Sequence, residues 1–237
     1  MIIAIDTATE TASVAIAHPE GGIAAELTWK AGRNHTMHLH PTLRHVMMLA
    51  GISRTDLTGV VATRGPGSFT GIRIGLATAK GLAQGLNVPI VGVGTLATAA
   101  YGAAHLGRTV WSVVSAGRGQ YAAAAYAASD DGGVTRLVEE AILSPEELVS
   151  RMAERGEERV LTGEFDEALA EMGLSGLGSS LTIAPDVVWT RTAANAARLG
   201  LLRLQRGDVD DVATLEPLYL RPPAAVERAE APAAANQ

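Results

Sequence analysis

The stretch "LTGVVATRGPGSFTGIRIGLATAKGLAQGLNVPIVGVG", residues 57 to 94, constrains the fold more than any other part of the chain. It opens on a short apolar run, passes a glycine-rich loop, continues at helical spacing from about residue 70 to 86 and closes on a second apolar run. Near-continuous apolar runs bounded by turn residues read as strands buried on both faces, and strand, helix, strand at this spacing requires a crossover. The fold class is therefore α/β.

The rest of the chain is compatible with that frame. Residues 2 to 5 form a buried-looking strand, followed by strands around 13 to 17 and after Gly21-Gly22, in the manner of an antiparallel meander. Leu39, Leu43, Val46, Met47 and Ala50 give residues 36 to 50 one apolar helical face, with Pro41 placing the start of the regular part near itself. "VWSVVSAGRGQYAAAAYA" reads as two strands around a Gly117-Arg118-Gly119 turn, and helical patterns recur at 145 to 155, 164 to 172 and 190 to 207. The expected organisation is an N-terminal lobe over 1–105, a C-terminal lobe over 106–189, a helix and extended segment over 190–221 that pack back on the lobes, and a flexible tail over 222–237. No internal sequence repeat is visible.

Composition narrows the chemistry. The 237 residues contain no cysteine, which excludes disulfides, thiol nucleophiles and thiolate metal sites. A net charge of −6 without a lysine and arginine stripe argues against the chain gripping a nucleic-acid backbone by itself, so any RNA is expected to be held by a partner. With Asp6 interrupting the first apolar run there is no signal-peptide pattern, no run is long enough to span a bilayer, and the expected location is the cytoplasm.

The glycine loop resembles a phosphate cradle but fails both tests. A Walker A loop needs lysine and then a hydroxyl after its last glycine, whereas Gly71 is followed by Ile72 and Arg73. The dinucleotide fingerprint fits Gly65 and Gly67, but its third glycine arrives one residue late, at Gly71. What remains is a turn, capped by Ser68 or Thr70, that feeds a helix. In that helix Gly71, Gly75 and Ala79 lie four apart, with Ile72 and Leu76 beside them. Small residues at this spacing allow another helix to approach closely. Met37, Met47 and Met48 add soft apolar surface to the preceding helix, so the expected partner interface comprises Met37, Leu39, Leu43, Val46, Met47, Gly71, Ile72, Gly75, Leu76 and Ala79.

"IIAIDTATETASVAI", "RGPGSFTGIRIGLATAKGLA", "PIVGVGTLATAA" and "PLYLR" occur in the order and at the spacings of the bacterial TsaB family, also called YeaZ, which the chain resembles densely through about residue 105 and thinly beyond it. The resemblance implies an actin-like, Hsp70-like (ASKHA) two-lobed fold with mixed sheets flanked by helices. It also implies a place in the machinery that makes N6-threonylcarbamoyladenosine beside the anticodon of tRNA. There the family pairs, through its first two helices, with the homologous catalytic subunit TsaD, and the ATPase TsaE joins them. No cofactor is implied for this chain.

The chemistry-bearing residues are weighed beside that resemblance. Asp6, Thr7 and Thr9 stand where actin-like ATPases have their first phosphate turn, but Ala8 replaces the glycine that would let phosphate approach, so Asp6 reads as structural and nucleotide binding as vestigial. His35, His38, His40 and His45 crowd one segment without a carboxylate. In TsaD-like relatives the metal histidines follow the strand after the glycine loop, and the resemblance places Thr95 and Ala99 at those positions, so no metal site is expected. Neither Ser68 nor Ser115 has a histidine at a hydrolase spacing. The expected function is a non-catalytic partner of a TsaD-like subunit. The alternatives are a stand-alone actin-like ATPase or metal-dependent, glycoprotease-like peptidase, and a homodimeric regulator that self-associates through the same helices.

Overall fold

A computed structural model describes residues 1–20, 22–32, 35–184 and 191–221. The chain runs β1 (Ile2–Asp6), β2 (Thr11–Ala17), β3 (Ile23–Lys30), α1 (His35–Leu49), β4 (Gly59–Thr63), α2 (Phe69–Leu86), β5 (Ile90–Val93), α3 (Thr95–Ala104), β6 (Thr109–Gly117), β7 (Gln120–Ala128), β8 (Val134–Leu143), α4 (Pro145–Glu154), β9 (Arg159–Gly163), α5 (Glu167–Leu177), β10 (Leu181–Ile183) and α6 (Ala193–Gln205). The tail beyond 221 and the first position of the last helical pattern, Thr190, lie outside the described residues.

The strands make two sheets of the same topology, β3-β2-β1-β4-β5 and β8-β7-β6-β9-β10. In each, a meander of three antiparallel strands is extended from its first strand by two parallel ones. The crossover read from residues 57 to 94 is β4-α2-β5, and β4 and β5 pair in parallel with Val60 opposite Ile90.

β1 is apolar from residue 2 to 5 because both faces of its sheet are covered. Ile3 and Ile5 point to the side carrying α1 and α2, while Ile2 and Ala4 point to the side carrying α6. The second sheet is covered by α3 on one face and by α4 and α5 on the other. α3 and α6 touch each other, so small side chains are needed where these layers meet. Gly200 lets α6 lie equally close to the first sheet, since a Cβ there would lie 2.3 Å from Val61 Cγ2 of β4.

Three helix starts differ from the sequence reading, that of α6 falling at Ala193, after its Thr192 cap, rather than at 190. α1 begins at His35, so Pro41 lies inside it rather than at its start. Proline removes only one intrahelical donor, and the burial of Leu39, Leu43 and Val46 holds the helix across that gap. α5 begins at Glu167, three residues later than the pattern suggested, because the Asp166 carboxylate caps it by accepting from the Leu169 amide at 3.0 Å. Glu164 is thereby left outside the helix.

Glu140 of β8 is a buried carboxyl next to the start of α3, where it accepts from Tyr126 Oη at 3.2 Å. Burial raises its pKa, against the opposing hydrogen bond from Tyr126 and the charge of Arg136. The folded chain therefore keeps this proton to a higher pH than the unfolded chain does, and stability is lost as pH rises from the ordinary carboxylate range through the raised value. Glu140→Gln should remove this loss. Its stability in urea is expected to exceed that of the parent at pH 7 and to match it below about pH 4, near the unperturbed carboxylate value.

Candidate functional site

The carboxyl ends of the parallel strands β1, β4, β6 and β9 face a cleft, the usual location of sites in open α/β sheets. The cleft has a volume of about 700 Å³ and is lined by Thr9, Glu10, Gly67, Ser68, Ser115, Tyr121, Glu164 and Asp166, among others. Three carboxylates lie in that lining, and among the described residues no lysine or arginine does.

The loop between β4 and α2 fits against the turn that follows β1. Gly65 and Gly67 have φ of 118° and 153°, conformations that disfavour a side chain. The Ser68 amide donates to the Ala8 carbonyl at 2.6 Å, and Ser68 Oγ caps α2 by accepting from the Gly71 amide at 3.2 Å. A Cβ on Gly67 would lie 2.1 Å from the Ala8 carbonyl oxygen, one on Gly71 2.1 Å from that of Thr7, and one on Gly75 2.1 Å from Thr7 Oγ1. Thr7 Oγ1 donates to the Gly71 carbonyl at 2.7 Å. The glycines therefore give clearance to the chain's own β1–β2 turn.

These contacts draw most of the expected interface residues into the chain's own interior. Leu39, Leu43, Val46, Gly71, Ile72, Gly75, Leu76 and Ala79 face inward and are buried within this chain, and of the ten residues only Met37 and Met47 reach the surface, Met47 in part. The exposed small residues of α2 are Ala77, Gly81 and Gly85, and a Cβ on either glycine would meet nothing within 4 Å. His38, His40 and His45 are exposed on α1, and the side chain of His35 lies outside the described residues. No group of three or more histidine, cysteine, aspartate or glutamate side chains among the described residues is placed to hold a metal.

Asp6, Thr7 and Thr9 are buried together. Asp6 Oδ1 accepts from the Ala8 amide at 3.0 Å and from Thr63 Oγ1 at 2.8 Å, so it stiffens its own turn. Its other oxygen faces Arg191, a residue the sequence reading did not single out. Arg191 is 2% exposed and its Nη1 forms an ion pair with Asp6 Oδ2. That contact is charge against charge, since neither atom makes an aligned hydrogen bond. Arg191 Nη2 donates to Thr9 Oγ1, to the Thr11 carbonyl at 3.0 Å and to Glu164 Oε1 at 3.2 Å, and Thr9 Oγ1 donates to Glu164 Oε1 as well.

The only sequence signal for this cluster was position. Asp6 and Glu164 end or follow parallel strands, and Arg191 precedes a capped helix, where Thr192 Oγ1 accepts from the Asn195 amide. Chemically, the described lining of the cleft is acidic, and the Arg191 cation beneath it is committed to Asp6 and Glu164.

The two glycine environments of α2 predict opposite effects of one substitution. Gly71→Ala should destabilise the chain by about 1–3 kcal/mol through overpacking against Thr7. Gly81→Ala, in open space, should stabilise it by roughly 0.5–1 kcal/mol through helix propensity. Urea unfolding of both variants checks the pair of signs.

The sequence matches the family "TsaD: tRNA N6-adenosine threonylcarbamoyltransferase" over residues 7–214. It is 35% identical to the tRNA threonylcarbamoyladenosine biosynthesis protein TsaB of Escherichia coli over 222 residues, which is 93% of this chain and 94% of that one. A crystal structure from Pseudomonas aeruginosa, of a protein described as similar to the peptidase YeaZ, superposes with a TM-score of 0.77 at 25% identity over 93% of this chain and 99% of that one. Component A of the (R)-2-hydroxyglutaryl-CoA dehydratase of Acidaminococcus fermentans shares the fold alone, with a TM-score of 0.52 at 13% identity over 86% of this chain and 98% of that one. Two mixed sheets flanked by helices in this arrangement are the actin-like fold that the sequence motifs implied. Within the wider threonylcarbamoyltransferase family, the chain belongs to TsaB (YeaZ), the proteins of tRNA threonylcarbamoyladenosine biosynthesis.

Proposed function

We propose that this chain is a non-catalytic subunit that binds and organises a TsaD-like catalytic subunit, with a TsaE-like ATPase, in the cytoplasmic N6-threonylcarbamoyladenosine modification of tRNA. The observation that carries the partner reading is the outward side of α1 and α2. Met37, Met48 and Leu49 are 67%, 63% and 55% exposed, and Met37, Pro41, Arg44 and Met48 make one exposed stripe at helical spacing. On α2, Ala77, Gly81 and Gly85 expose backbone that a partner helix can approach closely. Exposed methionines beside such a stripe suit a surface that is covered in an assembly.

The non-catalytic reading is supported by the cleft. The turn that would have to receive a phosphate and its metal already holds the Arg191 guanidinium, and the surrounding lining is acidic. tRNA is then held by partners, consistent with the net charge of −6. Self-association through the same helices would compete with the TsaD-like subunit for one surface.

The test uses charge on the outward stripe. Gly81→Arg and Met48→Glu should each weaken association with the TsaD-like subunit at least tenfold and lower tRNA modification in a reconstituted mixture, without lowering the thermal stability of the isolated chain. Undiminished association of both variants would reject the reading. Gly75→Arg is unsuitable for this purpose, because it would drive a charge into Thr7 and unfold the lobe.

A further inference from the structure

We propose that the cleft contains an oxygen-lined cation site whose ligand is the chain's own Arg191, and that Glu164 uses this guanidinium to hold the two sheets at one fixed separation. The site draws oxygens from both halves of the molecule. Asp6, Thr9 and the Thr11 carbonyl come from β1, β2 and the turn between them, while Glu164 comes from the end of β9 in the other sheet. A planar guanidinium suits this arrangement, since its two terminal nitrogens address different partners at fixed angles.

Arg191 moves with the first sheet. The helix it precedes is tied there, by the Ala193 amide donating to Ser13 Oγ at 2.7 Å and the Ala194 amide donating to Glu26 Oε1 at 2.8 Å. Glu164 is therefore the hook that crosses the cleft, through Arg191 Nη2 and Thr9 Oγ1. Any opening must part the partly exposed Glu164 carboxylate from a cation that is 2% exposed, and a buried cation resists the loss of a partner. Residues 218–221 add a second tie at another point. Leu218 donates its amide to the Arg64 carbonyl at 2.6 Å, Leu220 packs into the second sheet's core and Arg221 Nη2 donates to Gln120 Oε1. With both ties in place the cleft does not work as a hinge. This inference is independent of the partner reading, because none of its groups lies on the outward side of α1 or α2.

The chain has no cysteine, so Lys30→Cys and Glu167→Cys, both at exposed positions beside the cleft, can carry a pair of spin labels without other changes. The labelled full chain should give one narrow distance distribution. Adding Arg191→Ala should at least double its width, and millimolar methylguanidinium, which can refill the vacated site, should restore it, while the same concentration of sodium chloride should not. Adding Glu164→Ala instead should broaden it without rescue, because the guanidinium is still present and the hook is missing. Glu164 is only partly buried, so this variant keeps the test open if Arg191→Ala does not fold. A parental distribution in Glu164→Ala, or no narrowing of Arg191→Ala by methylguanidinium, would overturn the proposal.

Discussion

Two backbone carbonyls, those of Thr7 and Ala8, lie where a Cβ on Gly71 or Gly67 would have to be. The rest of the molecule follows from that approach. It seats the start of α2 on the β1–β2 turn, holds Asp6 and Thr9 in place, and so defines the pocket that Arg191 fills. It also fixes the orientation of α2. With 71, 75 and 79 committed to the interior, 77, 81 and 85 must point outward, and the inner contacts determine the outer surface.

That dependence explains what could be read from the sequence and what could not. β1, the β6–β7 hairpin around Arg118 and the β4-α2-β5 crossover were legible, because each carries its signal locally in apolar runs and turn residues. The direction of α2 was not. Its sequence carries two stripes of small residues, 71/75/79 and 77/81/85, and periodicity is identical for a stripe facing inward and one facing outward. The start of α5 was misjudged because a capping aspartate two residues after Glu164 outweighs helix propensity there. Arg191 and Glu164 were missed for a different reason: the ion cluster joins residues up to 185 positions apart, and no local pattern encodes such a pairing.

The two sheets repeat one topology with no sequence repeat to announce it. Topology needs only the order of strands and connections, which many sequences satisfy. The side chains differ because the environments differ. β7 is largely alanine where α3 and the helices of the opposite face press close, whereas the first sheet has Ile3, Ile5, Val14 and Ile16 against α1 and α2. The carboxyl ends of both sheets nevertheless converge on one cleft, and there the chain has spent its polar residues on itself.

The covering of the first sheet has a consequence for how the protein is made. β1 is made before every other described strand, yet one of its faces is closed by α6, and Leu215 completes the core on the other. The first lobe cannot finish folding as its own sequence emerges. It must wait, with Ile2 and Ala4 uncovered, until the second sheet has been synthesised and the chain has returned. The order of synthesis and the order of folding are thus interleaved, so a nascent chain stalled before α6 exposes an apolar sheet face that this helix covers in the folded protein.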